Sequence, residues 1–184
     1  MIRHLKHNEI DRGRWDACLN ETPAVKPYAM SWYLDRISPG WEALVEDDYH
    51  ALFPLPCHRK LGISYLATPL FLQQLGLFTA EGDRKRMAEE FISFMQGFYM
   101  LVDLCIGQEA AVPGYTLTPR YNYELKLDDP YEKLWFNYMT DCRRNINIAR
   151  RYPQEIVENP TPEELIALFR ANTARRAGVT RNSP

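Results

Sequence analysis

Three stretches of this chain carry residue types whose spacing suits anion chemistry. The first is Gln73-Gln74-Leu75-Gly76-Leu77-Phe78, which leads into the charged segment that begins near Gly82. Phosphates favour helix N-termini, where backbone N–H groups lack partners and the helix dipole is positive. A small residue must also let the ligand approach the backbone. Gln73-x-x-Gly76 ahead of a helix has that outline, although Phe78 stands where a second glycine or alanine would be wanted. A strand ending in a turn is the plainer reading of the same residues. The second stretch is a row in which Lys133, Asn137, Thr140, Arg144, Asn147 and Arg151 recur every three or four residues, flanked by Arg143 and Arg150. Arginine grips a phosphate or carboxylate through two parallel hydrogen bonds, so Arg143, Arg144, Asn147 and Arg151 form a candidate anion or substrate site. A solvated helix face is the plain alternative. The third stretch, ARRAGVTRN at 174–182, is basic and reads as a helix end and tail.

Familiar catalytic sets are missing. No Walker loop, GxSxG or HExxH motif occurs. Cys57 and His58 are neighbours in a strand-like segment, so their side chains point to opposite faces and form no dyad. His4 and His7 straddle the exit of the first strand and have no evident carboxylate or cysteine company. Glu46-Asp47-Asp48 reads as an acidic turn. Glu124 and Asp103 are acids on expected strands; burial of Asp103 in the apolar run FYMLVDLCI would raise its pKa.

The positioning elements follow from periodicity. A strand is expected at Ile2–Leu5, a helix over Glu9–Leu19 capped by Asn8, and a second helix over Met30–Ile37 that ends at Ser38-Pro39-Gly40. Strands follow at Trp41–Val45 and Tyr49–Leu55, with Pro54 and Pro56 marking an edge or bulge. Further strands are expected at Ile63–Leu66 and Phe71–Leu75. In Arg84–Gln96, Met87, Phe91 and Met95 recur at helical spacing. Residues 98–106 read as a buried central strand, and 120–127 alternate as a half-buried one with Tyr121, Tyr123, Leu125 and Leu127 on one face. The long connection at 107–119 is placed to cover a cleft. Residues 130–151 read as one long helix with an apolar stripe through Leu134, Trp135, Tyr138, Cys142 and Ile146. A short strand at Glu155–Val157 leads to a last helix opened by the capping box Thr161-Pro162-Glu163-Glu164, with Leu165, Leu168 and Phe169 buried. The sum is one mixed α/β (α+β) domain over residues 1–184, with a mostly antiparallel sheet flanked by helices.

Composition narrows the class. The 184 residues are 46% hydrophobic and 25% charged, with a formal net charge of −2. A chain of this size buries roughly 70% of its unfolded surface. The balance argues against a nucleic-acid coat or a polybasic membrane binder, while leaving room for a local basic patch. The four cysteines are widely spaced and lack zinc-site spacing, so no metal is expected. The first residues lack a signal-peptide core, and no run of about 18 apolar residues suggests a membrane span. A reduced, cytoplasmic protein that does not enter the membrane is expected.

Several stretches together resemble a family. SWYLDRISPGWEALVEDDYHALFPLP at 31–56, KLGISYLATPLFLQQLGLF at 60–78, and YNYELKLDD with CRRNINIARR inside 121–151 look like the N-terminal half of GNAT-superfamily, FemAB-like acyltransferases, especially members common in Bacteroidetes-type bacteria. The resemblance implies a central, mostly antiparallel sheet opened into a V-shaped cleft. It also implies a second GNAT-like domain in tandem, and transfer of an acyl or aminoacyl group onto an amine. The implied donor is acetyl-CoA, another acyl-CoA or an aminoacyl-tRNA; the acceptor is a small-molecule or peptide amine. The family's (Gln/Arg)-x-x-Gly-x-(Gly/Ala) donor loop places Gln73, Gln74, Gly76, Leu77 and Phe78 at the cofactor. The alternative is a degenerate, non-catalytic GNAT domain that binds an acceptor or docks a partner domain.

Overall fold

The fold was analysed in a computed structural model that describes residues 1–23, 26–125, 127–153 and 158–172. The chain forms two compact units, Met1–Arg120 and Tyr121–Pro184. The first unit holds β1 (Ile2–Leu5), α1 (Arg12–Glu21), α2 (Ser31–Ile37), β2 (Glu42–Glu46), β3 (Ala51–Leu55), β4 (Cys57–Lys60), β5 (Ile63–Ala67), β6 (Phe78–Thr79), α3 (Arg84–Met95) and β7 (Val102–Asp103). The second holds α4 (Tyr131–Asn137), α5 (Thr140–Ala149) and α6 (Pro162–Asn172). The expected mixed α+β class holds: a four-stranded antiparallel sheet ordered β1-β2-β3-β6 lies beside a three-stranded sheet ordered β4-β5-β7. In the second sheet β4 is antiparallel and β7 parallel to β5. No helix among the described residues is long and apolar enough to cross a membrane.

Register explains why β2 and β3 read as nearly unbroken apolar runs. Val45 pairs with Leu52 and Leu44 with Phe53. Successive side chains point to opposite faces, so the two pairs enter different cores. Val45 and Leu52 join Trp15, Leu19 and Leu34 from α1 and α2. Leu44, Phe53 and Leu55 join Ala88, Phe91 and Met95 from α3. A sheet covered on both faces needs apolar residues at every position. Trp15 and Trp41 meet edge-to-face at 4.8 Å in the first core, and Phe53 stacks on Phe91 at 6.2 Å in the second. Each fully buried side chain of this size contributes about 1.5–3 kcal/mol. Pro54 is tolerated because β6 pairs only with Ala51 and Leu52, leaving that side of β3 open beyond Leu52, as the edge reading required.

Helix ends follow their caps. Helix α1 starts at Arg12 rather than Glu9, because the Asp11 side chain accepts from the Arg14 N–H at 3.1 Å. Asn8 lies instead in a separate helical turn at His7–Glu9, fastened by Glu9 to the Lys6 N–H at 2.7 Å. The Thr161–Glu164 capping box forms as read from the sequence: Thr161 N–H donates to Glu164, and Glu164 N–H donates back to Thr161 Oγ1.

Five expectations are corrected. Residues 71–75 are not a strand: Phe71 takes φ +68°, and only Leu75 makes an isolated parallel bridge, to Ile106. Residues 98–106 keep only Val102–Asp103 as strand, and Met100 and Leu101 are exposed. The run is broken because Gly97 turns the chain at φ +93° and the Tyr99 hydroxyl is drawn to Glu42 on β2. Tyr121, Tyr123 and Leu125 are exposed and outside any strand, since alternation without a partner strand cannot make a ladder. Residues 130–151 form two helices, interrupted where Tyr138 and Met139 are extended, with no proline or glycine to announce the break. Their stripe is not buried, and neither are Leu165 and Leu168 of α6; no described residue of α4, α5 or α6 is buried. The expected strand at 155–157 and the basic run at 174–182 lie outside the described residues.

Candidate functional site

The Gln73–Phe78 segment is held in a bend by side-chain and backbone bonds from the 105–108 segment. Leu75 N–H donates to the Cys105 carbonyl at 2.8 Å, and Gly107 N–H donates to the Leu75 carbonyl at 2.9 Å. Gln108 closes the other end: its Oε1 accepts from Leu77 N–H at 3.0 Å, and its Nε2 donates to the Leu77 carbonyl at 2.8 Å. Gly76 has φ +119°, and a Cβ there would fall 2.1 Å from Gln108 Oε1. The glycine is therefore explained by the close approach of Gln108.

Gln74, Leu75, Leu77 and Phe78 line a cleft of about 170 Å³, shared with Lys26, Arg84 and Gln108. Gln73 is exposed and lies outside that lining. At the following helix, Asp83 Oδ1 accepts from the N–H groups of Lys85 and Arg86 at 3.1 and 3.2 Å. A carboxylate of the chain itself thus occupies the start of α3, where a phosphate would sit. Arg84 leans across the cleft to donate to the Thr79 carbonyl at 3.3 Å.

The second unit brings the predicted anion-binding residues together. Arg143, Arg144, Asn147 and Arg151 line one hollow of about 460 Å³ with Trp135, Thr140 and Ile148. The spacing i, i+4, i+8 from Arg143 through Asn147 to Arg151 puts them along one side of α5 and its terminal turn. Arg144 is exposed and pairs with Asp141 at 3.3 Å. Arg150 instead donates to the Tyr131 hydroxyl at 2.9 Å and covers the Trp135 ring at 5.2 Å.

A cluster that sequence reading missed lies on the sheet face of the first unit. His4 on β1 pairs with Leu44, two residues along β2 from Glu42, so the His4 and Glu42 side chains share a face. His4 Nε2 lies 2.6 Å from Glu42 Oε2, the Tyr99 hydroxyl donates to Glu42 Oε2 at 2.7 Å, and Lys6 Nζ donates to both Glu42 oxygens at 2.9 and 3.0 Å. Burial pushes the Glu42 carboxyl upwards, but the hydrogen bonds from His4, Tyr99 and Lys6 outweigh it and bring it down to about 2. Burial and the Glu42 carboxylate raise the Tyr99 hydroxyl, which stays protonated. Burial, then Glu42, raises the Cys57 thiol on neighbouring β4. The pairing of His4 with Glu42, 38 residues apart, overturns the expectation that His4 lacks acidic company. His7 likewise finds Asp35 at 3.8 Å, in a group where Arg12 and the Trp41 indole also bind that carboxylate. Strand register places His4 beside Glu42, whereas the His7–Asp35 group depends on how α1 and α2 pack.

The remaining candidates separate. Cys57 packs against the second core while His58 stacks on Tyr65 at 5.4 Å, so the two point apart as expected. Asp103 is exposed, not buried. Asp47 binds the N-terminal ammonium group and Asp48 pairs with Arg14, which gives the acidic turn structural partners. Comparisons with family models, with curated proteins and with solved structures find no match to this chain.

Proposed function

We propose that this chain is a GNAT-superfamily, FemAB-like acyltransferase-family domain that binds an acceptor or docks a second GNAT-like domain, without itself holding the acyl donor. The observation that carries this reading is the Gln108 side chain, which takes both backbone groups of Leu77 inside the loop that resembles a donor cradle. A backbone group bonded within the protein is not offered to a pyrophosphate. The Asp83 cap at α3 supports the same reading. So does the state of Glu42. A general base for an amine works best with a pKa near the operating pH. A carboxyl held near 2 by three donors is a poor one. The family resemblance supplies the reaction class and a cytoplasmic setting.

A second reading, a working N-acyltransferase that moves an acyl or aminoacyl group from acetyl-CoA or aminoacyl-tRNA to an amine, is favoured by one feature. Lys26 and Arg84 both line the cleft beside Gln74–Phe78, where two cations suit a pyrophosphate. Calorimetric titration of acetyl-CoA into the purified chain separates the readings. No saturable binding at the cleft is expected. Saturable binding that is lost in Arg84→Ala, and kept in Arg144→Ala, would instead establish the donor site.

A further inference from the structure

We infer that the hollow on α5 is a binding site for the phosphate groups of a nucleotide-type ligand. The inference concerns the second unit alone and stands whichever reading of the first unit holds. Three observations carry it. First, Arg143, Arg144 and Arg151 converge on one hollow of about 460 Å³. That is room for an organic ligand with its phosphates, more than a lone carboxylate fills. Second, the cations there exceed their acids. Arg143 is half-buried, yet among the described residues neither its guanidinium nor that of Arg151 has an ion pair or side-chain hydrogen bond. The one acid paired into the site is Asp141, on exposed Arg144. A partly buried guanidinium without an acceptor costs free energy that an arriving oxyanion relieves. Third, the walls are of two kinds: Trp135 and Ile148 are apolar, while Thr140 and Asn147 offer a hydroxyl and an amide. An aromatic surface beside a guanidinium cluster suits a base or sugar next to its phosphates.

The arginines are spread along the helix rather than gathered at a point. From Arg144 to Arg151 is seven residues, about 10 Å of helix rise. Two anionic groups on one ligand, not a single one, match that span. A nucleoside di- or triphosphate and the end of a single RNA strand both offer this chemistry.

The test is titration of the full chain with pyrophosphate, with ATP and with a short single-stranded oligoribonucleotide, each at about 50 and about 200 mM salt. Saturable binding of at least one probe is expected, weakened about tenfold or more in Arg143→Ala and in Arg144→Ala. Arg143→Lys keeps the charge but loses the two-pronged donor, and should recover only part of the affinity. Arg84→Ala, in the first unit, should leave the Arg143-dependent binding unchanged. Tighter binding of ATP than of the oligonucleotide marks a free nucleotide; the reverse order, with the steeper salt dependence, marks a strand. Because Arg144 and Arg151 are exposed, Arg144→Ala and Arg151→Ala leave folding intact and keep the test decisive. Absence of saturable binding by all three probes, or unchanged affinity in the Arg143→Ala, Arg144→Ala double variant, would overturn the inference.

Discussion

Glu42 is the residue on which the polar side of the first unit turns. It gathers His4 and Lys6, at the end of β1, and the distant Tyr99 around one carboxylate that is almost wholly buried. Replacing it with glutamine removes the charge those donors share, and Glu42→Gln should lower stability by about 2 kcal/mol, measured by urea unfolding at neutral pH. Tyr99→Phe removes one donor and should cost about 1 kcal/mol. The pH dependence has a definite sign. The folded-state pKa of Glu42, about 2, lies below its ordinary 4.5. Its contribution is therefore complete above about pH 4.5 and is lost as pH falls through about 2. The stability gap between the wild type and Glu42→Gln should close over that window. A gap that persists unchanged near pH 2 would contradict the assignment.

At the scale of elements, two local devices decide where the loop and α3 sit. Asp83 caps α3, and Asp83→Ala should cost about 1 kcal/mol, read as a lower denaturation midpoint. The bend at Gly76 is coupled to Gln108. Gly76→Ala meets both the positive φ and the Gln108 oxygen, and should destabilise by about 1–3 kcal/mol. Gln108→Ala strips Leu77 of both partners and should cost about 2 kcal/mol. The two losses should not add, because part of the Gly76→Ala penalty is the clash with Gln108 itself. Additivity in a double-mutant cycle would show that the glycine answers to φ alone. The broken helix 130–151 belongs to this scale too: no sequence signal marks Tyr138-Met139, where α4 closes on bonds from Tyr138 N–H to the Leu134 and Trp135 carbonyls.

For the whole molecule, both hydrophobic cores lie within Met1–Arg120. A domain needs its own core to fold alone, and this unit has one on each face of its main sheet. A protein comprising residues 1–120 should therefore unfold in a single cooperative transition by calorimetry. A broad, gradual transition would show that the two cores do not suffice. The second unit differs: no described residue of its three helices is buried, although Leu134, Trp135 and Ile146 recur at helical spacing. Its amphipathic pattern was legible, but the burial that pattern implies was not found.

What the sequence determined by itself was local. Apolar periodicity located β1, β2, β3, α2 and α3 to within a residue or two, and the Thr161–Glu164 box placed the start of α6. These features depend on neighbours a few residues apart, which the chain order already supplies. The row of arginines was legible for the same reason, since helical spacing alone puts Arg144, Asn147 and Arg151 in one row. Only the tertiary structure decided the rest. The partner of His4, the Gln108 clamp on Leu77 and the exposure of Met100, Tyr121 and Tyr123 all depend on pairings between distant segments. A strand pattern states which face a residue would take in a sheet, but whether a sheet edge is there to receive it is settled by the fold.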